Sequence, residues 1–206
     1  MVNMDFLKQC KNDSQTLTAT AAALEPEDIA ALVELLGEKD NNIRYGALLM
    51  LQRRSDDTPD VRPFWEVFAK KLESENSYQR SIGVMLLAQN VRWAGEQTFR
   101  PVLGKYLNCC QDEKFITSRQ TIQSVRQWAV YAPKLLPETA EYLMRIDVFG
   151  IATNHRKLIL TDILDTLFAI WQIQPLPDIP SYIKHVLESG LIDIKTRKRY
   201  EVVLQA

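Results

Sequence analysis

Two histidines are the residues best suited by type to proton transfer or metal binding, and their surroundings in the sequence support neither. His155 and His185 have no nearby cluster of cysteines or acids of the kind that a metal or catalytic site uses. The cysteines, Cys10, Cys109 and Cys110, are odd in number and lack metal-site spacing. We therefore predict no catalytic residue, no metal ion and no cofactor, and we expect free thiols in a reducing, cytoplasmic setting.

Motifs and charge exclude further function classes. The 206-residue sequence contains no GxGxxG, GxxxxGK[ST] or GxSxG pattern, so phosphate-loop and esterase chemistries lack their usual markers. Lys and Arg number 25 against 26 Asp and Glu, a formal net charge of −1. That balance argues against a nucleic-acid partner, although it leaves room for a local basic stripe. No signal-like start and no bilayer-length apolar run is present, so we expect no membrane partner.

The elements that would position any site repeat along the chain. Arginines recur at spacings of 36, 39, 37 and 41 residues, and each precedes an apolar run: Arg44, Arg80, Arg119, Arg156 and Arg197. The nine prolines lie in clusters upstream of these arginines, where helices begin. Apolar residues between each proline cluster and its arginine recur at helical steps of three and four. Each unit therefore reads as a helix, a short turn and a second helix that starts near the arginine.

This pattern resembles the HEAT repeats of the HEAT/armadillo class. The resemblance implies an all-α fold, a right-handed α-α superhelix of about five helix pairs in one domain, residues 1–206. We predict a capping segment, 1–24, followed by repeats at about 25–58, 59–96, 97–132, 133–174 and 175–206. In the family, an acid in the turn pairs with the arginine. The matching pairs here are Asp40 with Arg44, Glu75 with Arg80, Glu113 with Arg119, and Asp193 with Arg197.

In such proteins the second helices line the concave side, which gives candidate binding residues. At about 100° per residue, the positions five and nine after each arginine point away from the apolar stripe. One further candidate, Arg92, lies twelve residues after its arginine. The full set of candidates is Arg53, Met85, Gln89, Arg92, Ser124, Trp128, Thr161 and Asp165. Their mixed composition suits a protein or peptide better than phosphates. We predict a non-catalytic protein- or peptide-binding scaffold. Trp128 has a second interpretation, as a core residue, because the apolar stripe of its helix is rotated toward it.

One alternative is enzymatic. The all-helical repeat is also similar to the HEAT-like DNA alkylation repair glycosylases, which use a cationic concave face with aromatic residues and an acid. That resemblance would give Trp128 and Asp165 the aromatic and acidic roles. Arg53, Arg92 or Arg126 would then bind the DNA phosphates. No motif selects this alternative, and the net charge argues against it.

Overall fold

A computed structural model of the chain describes residues 3–9 and 14–200. Helices make up 79% of these residues, which contain no strand, and this confirms the predicted all-α class. The α-helices of this part are α1 (Met4–Gln9), α2 (Ser14–Ala22), α3 (Pro26–Leu35), α4 (Asn41–Asp57), α5 (Trp65–Lys71), α6 (Ser77–Ala94), α7 (Glu96–Asn108), α8 (Phe115–Trp128), α9 (Leu136–Met144), α10 (Thr153–Ile173), α11 (Asp178–Glu188) and α12 (Ile194–Tyr200). Cys10 and residues 201–206 lie outside the described part.

The chain divides into two compact units, unit 1 (Met1–Val102) and unit 2 (Leu103–Ala206). In unit 1, α3 packs on α4, α5 packs on α6, and the two long helices α4 and α6 pack on each other. In unit 2, α8 packs on α10, and α10 also contacts α9 and α11. A single domain over 1–206 and the stacking of all pairs into one superhelix stay predictions.

Glycine permits close helix packing at two points in unit 1. A Cβ added at Gly83 of α6 would lie 2.8 Å from the carbonyl oxygen of Phe68 on α5. A Cβ added at Gly46 of α4 would lie 2.2 Å from the carbonyl oxygen of Leu7 on α1. Real Cβ atoms do not approach backbone this closely, so a larger residue at either position would push the helices apart. The packing of these helices therefore depends on glycine.

Three of the recurrent arginines, Arg44, Arg80 and Arg156, bind backbone carbonyls in the turns before their helices. Turn carbonyls lie beyond the regular hydrogen bonds of a helix, and a guanidinium carries five donors that can satisfy them. Arg44 donates to the Glu38 carbonyl at 2.7 Å, and Arg80 donates to the Ser74 and Glu75 carbonyls at 2.8 and 3.0 Å. Arg156 donates to the carbonyls of Val148, Phe149 and Ile151 at 2.8–3.2 Å. The arginine thus fixes the turn that joins the two helices of a pair.

The acids expected to pair with these arginines have other partners where the structure describes them. The Asp40 carboxylate caps α4, accepting from the backbone nitrogens of Asn42 and Ile43 at 2.8 and 3.4 Å. Arg119 pairs with Asp162 of α10, at 2.5 Å between Nε and Oδ2, in place of Glu113. Asp193 pairs with Lys157 and accepts from the backbone nitrogen of Thr196. A short acid adjacent to a helix start caps that helix more readily than it reaches a long arginine.

Candidate functional site

Three of the predicted binding residues in unit 1 meet at one carboxyl-terminal turn, that of α4. Arg53 Nη1 lies 2.7 Å from Asp56 Oδ2, and Gln89 Nε2 of α6 donates to Asp56 Oδ1. Arg92, also on α6, donates to the Asp56 backbone carbonyl at 2.7 Å. The structure therefore brings Arg53, Gln89 and Arg92 together, and each of them binds Asp56.

Further bonds extend this cluster to α2 and the indole of Trp93. Arg53 Nε donates to Thr18 Oγ1 at 2.9 Å, and its hydrogen bond to Asp56 raises the pKa of the Arg53 guanidinium above its ordinary value. Trp93 Nε1 donates to the Ser55 carbonyl at 2.7 Å. These bonds satisfy carbonyls at the end of α4 that have no partner within the helix. The cluster therefore joins α2, α4 and α6, and its guanidinium charge is balanced by neighbouring acids.

Met85, the remaining candidate in unit 1, is half-buried on α6. Deeper along the same helix, Asn90 is fully buried and donates to Ser55 Oγ at 3.0 Å. The α4–α6 contact is therefore partly polar, which the apolar periodicity of the sequence does not indicate.

In unit 2 the structure places Ser124 and Trp128 in the core. Trp128 is 0% exposed and lies edge-on to Tyr106, with ring centroids 6.2 Å apart. Ser124 is 3% exposed, and its hydroxyl lies 2.5 Å from the Tyr106 hydroxyl. Of the two interpretations of Trp128, the core one applies, because a buried indole presents no surface to a partner. A buried serine has no surface for a partner either.

Thr161 and Asp165, the last two candidates, lie on α10 and are half-buried. Thr161 Oγ1 donates to the Lys157 carbonyl one turn earlier, at 2.8 Å. Asp165 Oδ1 accepts from the Tyr200 hydroxyl and pairs with Arg199, each at 2.6 Å. The Asp165 carboxylate is thus bound by α12. With Trp128 buried, the two residues that the glycosylase resemblance selects do not share an open surface.

A buried ion pair in unit 2 lies close to these positions and was not foreseen. Asp162 has a side chain only 8% exposed, and Arg119 Nε approaches it at 2.5 Å. Gln123 Nε2 donates to Asp162 Oδ1 at 2.8 Å, and this hydrogen bond and the ion pair join α8 to α10. The Asp162 carboxylate raises the pKa of the Arg119 guanidinium.

Sequence reasoning missed a set of exposed apolar side chains near the starts of the second helices. We call them the helix-start residues, and each lies within three positions of a recurrent arginine: Tyr45, Tyr78, Ile116, Leu158 and Ile194. Their exposed fractions are 48%, 63%, 67%, 44% and 75% in that order. The sequence already indicated these residues, because each is a large apolar residue near a turn and lies outside the apolar stripe that its helix turns toward the core. Two lie in unit 1 and three in unit 2.

A recess in unit 2 opens beside Ile116. Its volume is about 450 Å³, and it lies between the turn before α8 and the turn before α10. Phe115 and His155 are among its lining residues, stacked face to face with ring centroids 3.7 Å apart and an interplanar angle of 12°. The Arg119 guanidinium lies over the Phe115 ring, 5.6 Å from its centroid. Cys110 lies in the floor, where burial raises the pKa of its thiol well above the ordinary value. A raised pKa makes a thiol a poor nucleophile at neutral pH.

Metal-binding clusters and membrane-spanning helices are the next features of the described residues to consider. Across 3–9 and 14–200, no group of three or more His, Cys, Asp or Glu side chains is arranged to hold a metal ion. In the same part of the chain, none of the helices combines the length and apolar character that crossing a bilayer requires.

Comparison with known proteins gives a fold likeness without a family. No described protein family matches the sequence, and no curated protein matches it significantly. Among solved structures, the chain is similar to the crystal structure of an engineered protein, with a TM-score of 0.53 and 14% sequence identity. That likeness covers 100% of this chain and 96% of the engineered one. At this identity it concerns the fold alone, because function resides in particular side chains rather than in a fold.

Proposed function

We propose that this chain is a non-catalytic scaffold that binds a protein or peptide, built as a HEAT-like right-handed superhelix of about five helix pairs. The observation that carries the proposal is the set of helix-start residues, which recur one per second helix and are 44–75% exposed. Exposed apolar side chains that adjoin one another in a patch commonly mark a protein interaction site. A repeat protein offers such positions at regular intervals to an extended partner.

The contacts of unit 2 favour use of the helix-start residues together. The Phe115–His155 stack joins the starts of α8 and α10, so Ile116 lies on the helix beside that of Leu158. The Lys157–Asp193 pair joins the starts of α10 and α12. Neighbouring second helices of unit 2 therefore each carry an exposed apolar residue near their start. The second helices of unit 1 carry an exposed tyrosine near theirs. Tyrosine is among the residues that most often dominate the binding energy at protein interfaces.

The charged candidates support a protein partner over DNA. Arg53 is bound to Asp56 and Thr18, and Arg54 is bound to Asp60 and to the carbonyls of Ala21 and Ala22. A phosphate would have to displace these partners. DNA-binding surfaces instead carry repeated basic side chains directed toward the backbone phosphates. In this proposal the cluster at Asp56 holds the helices in place, and the apolar helix-start residues contact the partner.

A matched set of variants tests the proposal. Ile116→Glu with Leu158→Glu alters two helix-start residues, and Val67→Glu alters an exposed apolar residue on α5, a first helix. Each tagged variant and the wild type is used to purify partners from cells of the source, with quantitative mass spectrometry. We expect a partner that the double variant loses and the Val67→Glu control keeps, at equal melting temperatures. Equal recovery by the double variant and the wild type would reject the proposed surface.

A further inference from the structure

We infer that the partner segment lying over Leu158 and Ile194 is acidic as well as apolar, and that its carboxylates pair with Lys195 and Lys198 of α12. This inference rests on the proposed function and names the chemistry of the partner. It concerns unit 2 alone, because all four residues belong to that unit.

The contact of Tyr200 with α10 determines which face of α12 points outward. The Tyr200 hydroxyl donates to Asp165 Oδ1 at 2.6 Å, and the Tyr200 side chain is 0% exposed. At about 100° per residue, Lys198 lies about 160° around the helix from Tyr200. Lys195 and Ile194 lie about 140° and about 120° from it. All three are accordingly exposed, Ile194 to 75%.

The outward residues of α12 form one continuous patch. Ile194 and Lys198 are four positions apart, and Lys195 and Lys198 are three apart. Side chains at these two spacings are neighbours on the surface of a helix. A single partner segment can therefore contact the isoleucine and both lysines together.

An ion pair brings a second exposed apolar residue beside this patch. Lys157 of α10 pairs with Asp193, the residue before α12. Leu158 directly follows Lys157 and is 44% exposed, and Ile194 directly follows Asp193. The pair balances its own two charges, so the charge that remains at the patch is that of the two α12 lysines.

The charge of α12 is strongly positive and only partly balanced within the protein. Of its seven residues, four are basic and none is acidic. Arg199 pairs with Asp165 of α10. Lys195 and Lys198, in contrast, form no ion pair with any residue of 3–9 and 14–200, the part of the chain that the structure describes. These two ammonium groups are open to carboxylates of a partner.

The stability of α12 does not account for Lys195 and Ile194. The helix dipole favours acids in the first turn and cations in the last, yet Lys195 lies in the first turn, which contains no acid. Ile194 gains little from burial while it is 75% exposed. Both side chains would gain from a partner that supplies carboxylates next to a large apolar group.

A peptide fits this patch better than a nucleic acid does. Nucleic-acid surfaces repeat cations along the path of the phosphates, whereas this patch offers two lysines beside two aliphatic side chains. Leu158 and Ile194 would lie unused against a phosphate backbone. The expected recognition sequence is Asp or Glu adjoining Leu, Ile or Phe.

Selection from a displayed library of random short peptides tests this inference separately from the proposed function. The wild type, the double variant Lys195→Gln with Lys198→Gln, and the control Lys70→Gln with Lys184→Gln are selected in parallel. The control removes two exposed lysines from the first helices α5 and α11, so both variants lose the same charge. Glutamine and lysine have similar helix propensities. Far-ultraviolet circular dichroism and thermal melting confirm that the three proteins fold alike.

We expect the wild type and the control to enrich peptides in which an acid adjoins a large apolar residue. The selected peptide, synthesised and titrated at an ionic strength of about 0.01 M, should bind the Lys195→Gln, Lys198→Gln protein about fivefold more weakly. Raising the ionic strength to about 0.15 M shortens the Debye length from about 30 Å to about 8 Å. That change should weaken binding by the wild type and narrow its advantage over the double variant.

Enriched peptides that lack an acidic residue, or equal affinity for all three proteins, would overturn this inference and leave the proposed function standing. Duplex DNA is titrated in parallel, and binding by the wild type that the Lys195→Gln, Lys198→Gln protein loses would overturn the inference in favour of a nucleic-acid partner. If none of the proteins enriches a peptide, the proposed function is itself rejected, and this inference with it.

Discussion

Replacing Gly83 with alanine tests helix packing in unit 1 against the intrinsic preference of the backbone. Alanine is favoured over glycine in a helix interior by about 0.8–1.0 kcal/mol, so Gly83→Ala would be stabilising if nothing lay nearby. The new Cβ, however, would lie 2.8 Å from the Phe68 carbonyl oxygen and 3.0 Å from Lys71 Cβ. A backbone oxygen on a packed helix cannot move aside as the end of a flexible side chain can. We therefore expect α5 and α6 to be forced apart.

The size of the effect follows from the two opposing terms. Overpacking of this kind costs about 1–3 kcal/mol, which exceeds the propensity gain. The net expectation is a loss of up to about 2 kcal/mol in the free energy of unfolding. Gly104→Ala on α7 is the matched control, because a Cβ there meets nothing within 4 Å. That variant should gain about 1 kcal/mol or slightly less.

Urea unfolding followed by circular dichroism measures both variants against the wild type. The unfolding midpoint should fall for Gly83→Ala and rise for Gly104→Ala, with unchanged denaturant slopes. If the two substitutions stabilise the protein equally, the α5–α6 contact described here is wrong. A denaturant slope that changes for Gly83→Ala alone would indicate a change in compactness rather than a local clash.

Three further predictions concern unit 2. Trp128→Ala should lower the free energy of unfolding by about 3–5 kcal/mol in denaturant titrations, because the indole is fully buried. Arg119→Ala leaves the buried Asp162 carboxylate without its cation and should cost about 1–3 kcal/mol in the same assay. The hydrogen bond from Lys157 lowers the pKa of the Asp193 carboxyl well below its ordinary range, and Lys157→Ala should return it upward in a carboxyl NMR titration. Since that pKa is lowered, the stabilisation is present above the ordinary carboxyl pKa and is lost as pH falls through the folded value. An Asp193 pKa unchanged by Lys157→Ala would contradict the pairing.

The helices were predictable because their apolar periodicity is a local property of the sequence. Along α8 and the residue that follows it, the rotated apolar stripe consists of Ile122, Val125, Trp128 and Ala129, and all four are buried. The position of Trp128 in this apolar stripe already indicated that it belongs to the core. Positions five and nine after each arginine were placed by the geometry of one helix alone. Neighbouring helices then covered several of them, as Tyr200 and Arg199 of α12 do at Asp165.

The partners of the recurrent arginines could not be read from residue types. An acid four to six residues before an arginine suggests an ion pair, but backbone carbonyls appear in no sequence pattern. Arg80 reaches the carbonyls of Ser74 and Glu75 because the turn before α6 directs them toward the helix start. Arg54 illustrates the same limit, because its guanidinium is bound to Asp60 and to two carbonyls of α2. Tertiary neighbours decide which of several donors and acceptors meet.

Calorimetric titration with the purified partner tests most directly whether the helix-start residues form a protein-binding surface. The wild type, Ile116→Glu with Leu158→Glu, and Val67→Glu are compared at matched folded concentrations. We predict that the double variant binds at least about tenfold more weakly, a loss of about 1.4 kcal/mol or more, while Val67→Glu binds as the wild type does. Equal affinities for all three proteins would contradict the central claim. So would tight, salt-sensitive binding of duplex DNA by the wild type that Arg53→Ala and Arg92→Ala abolish.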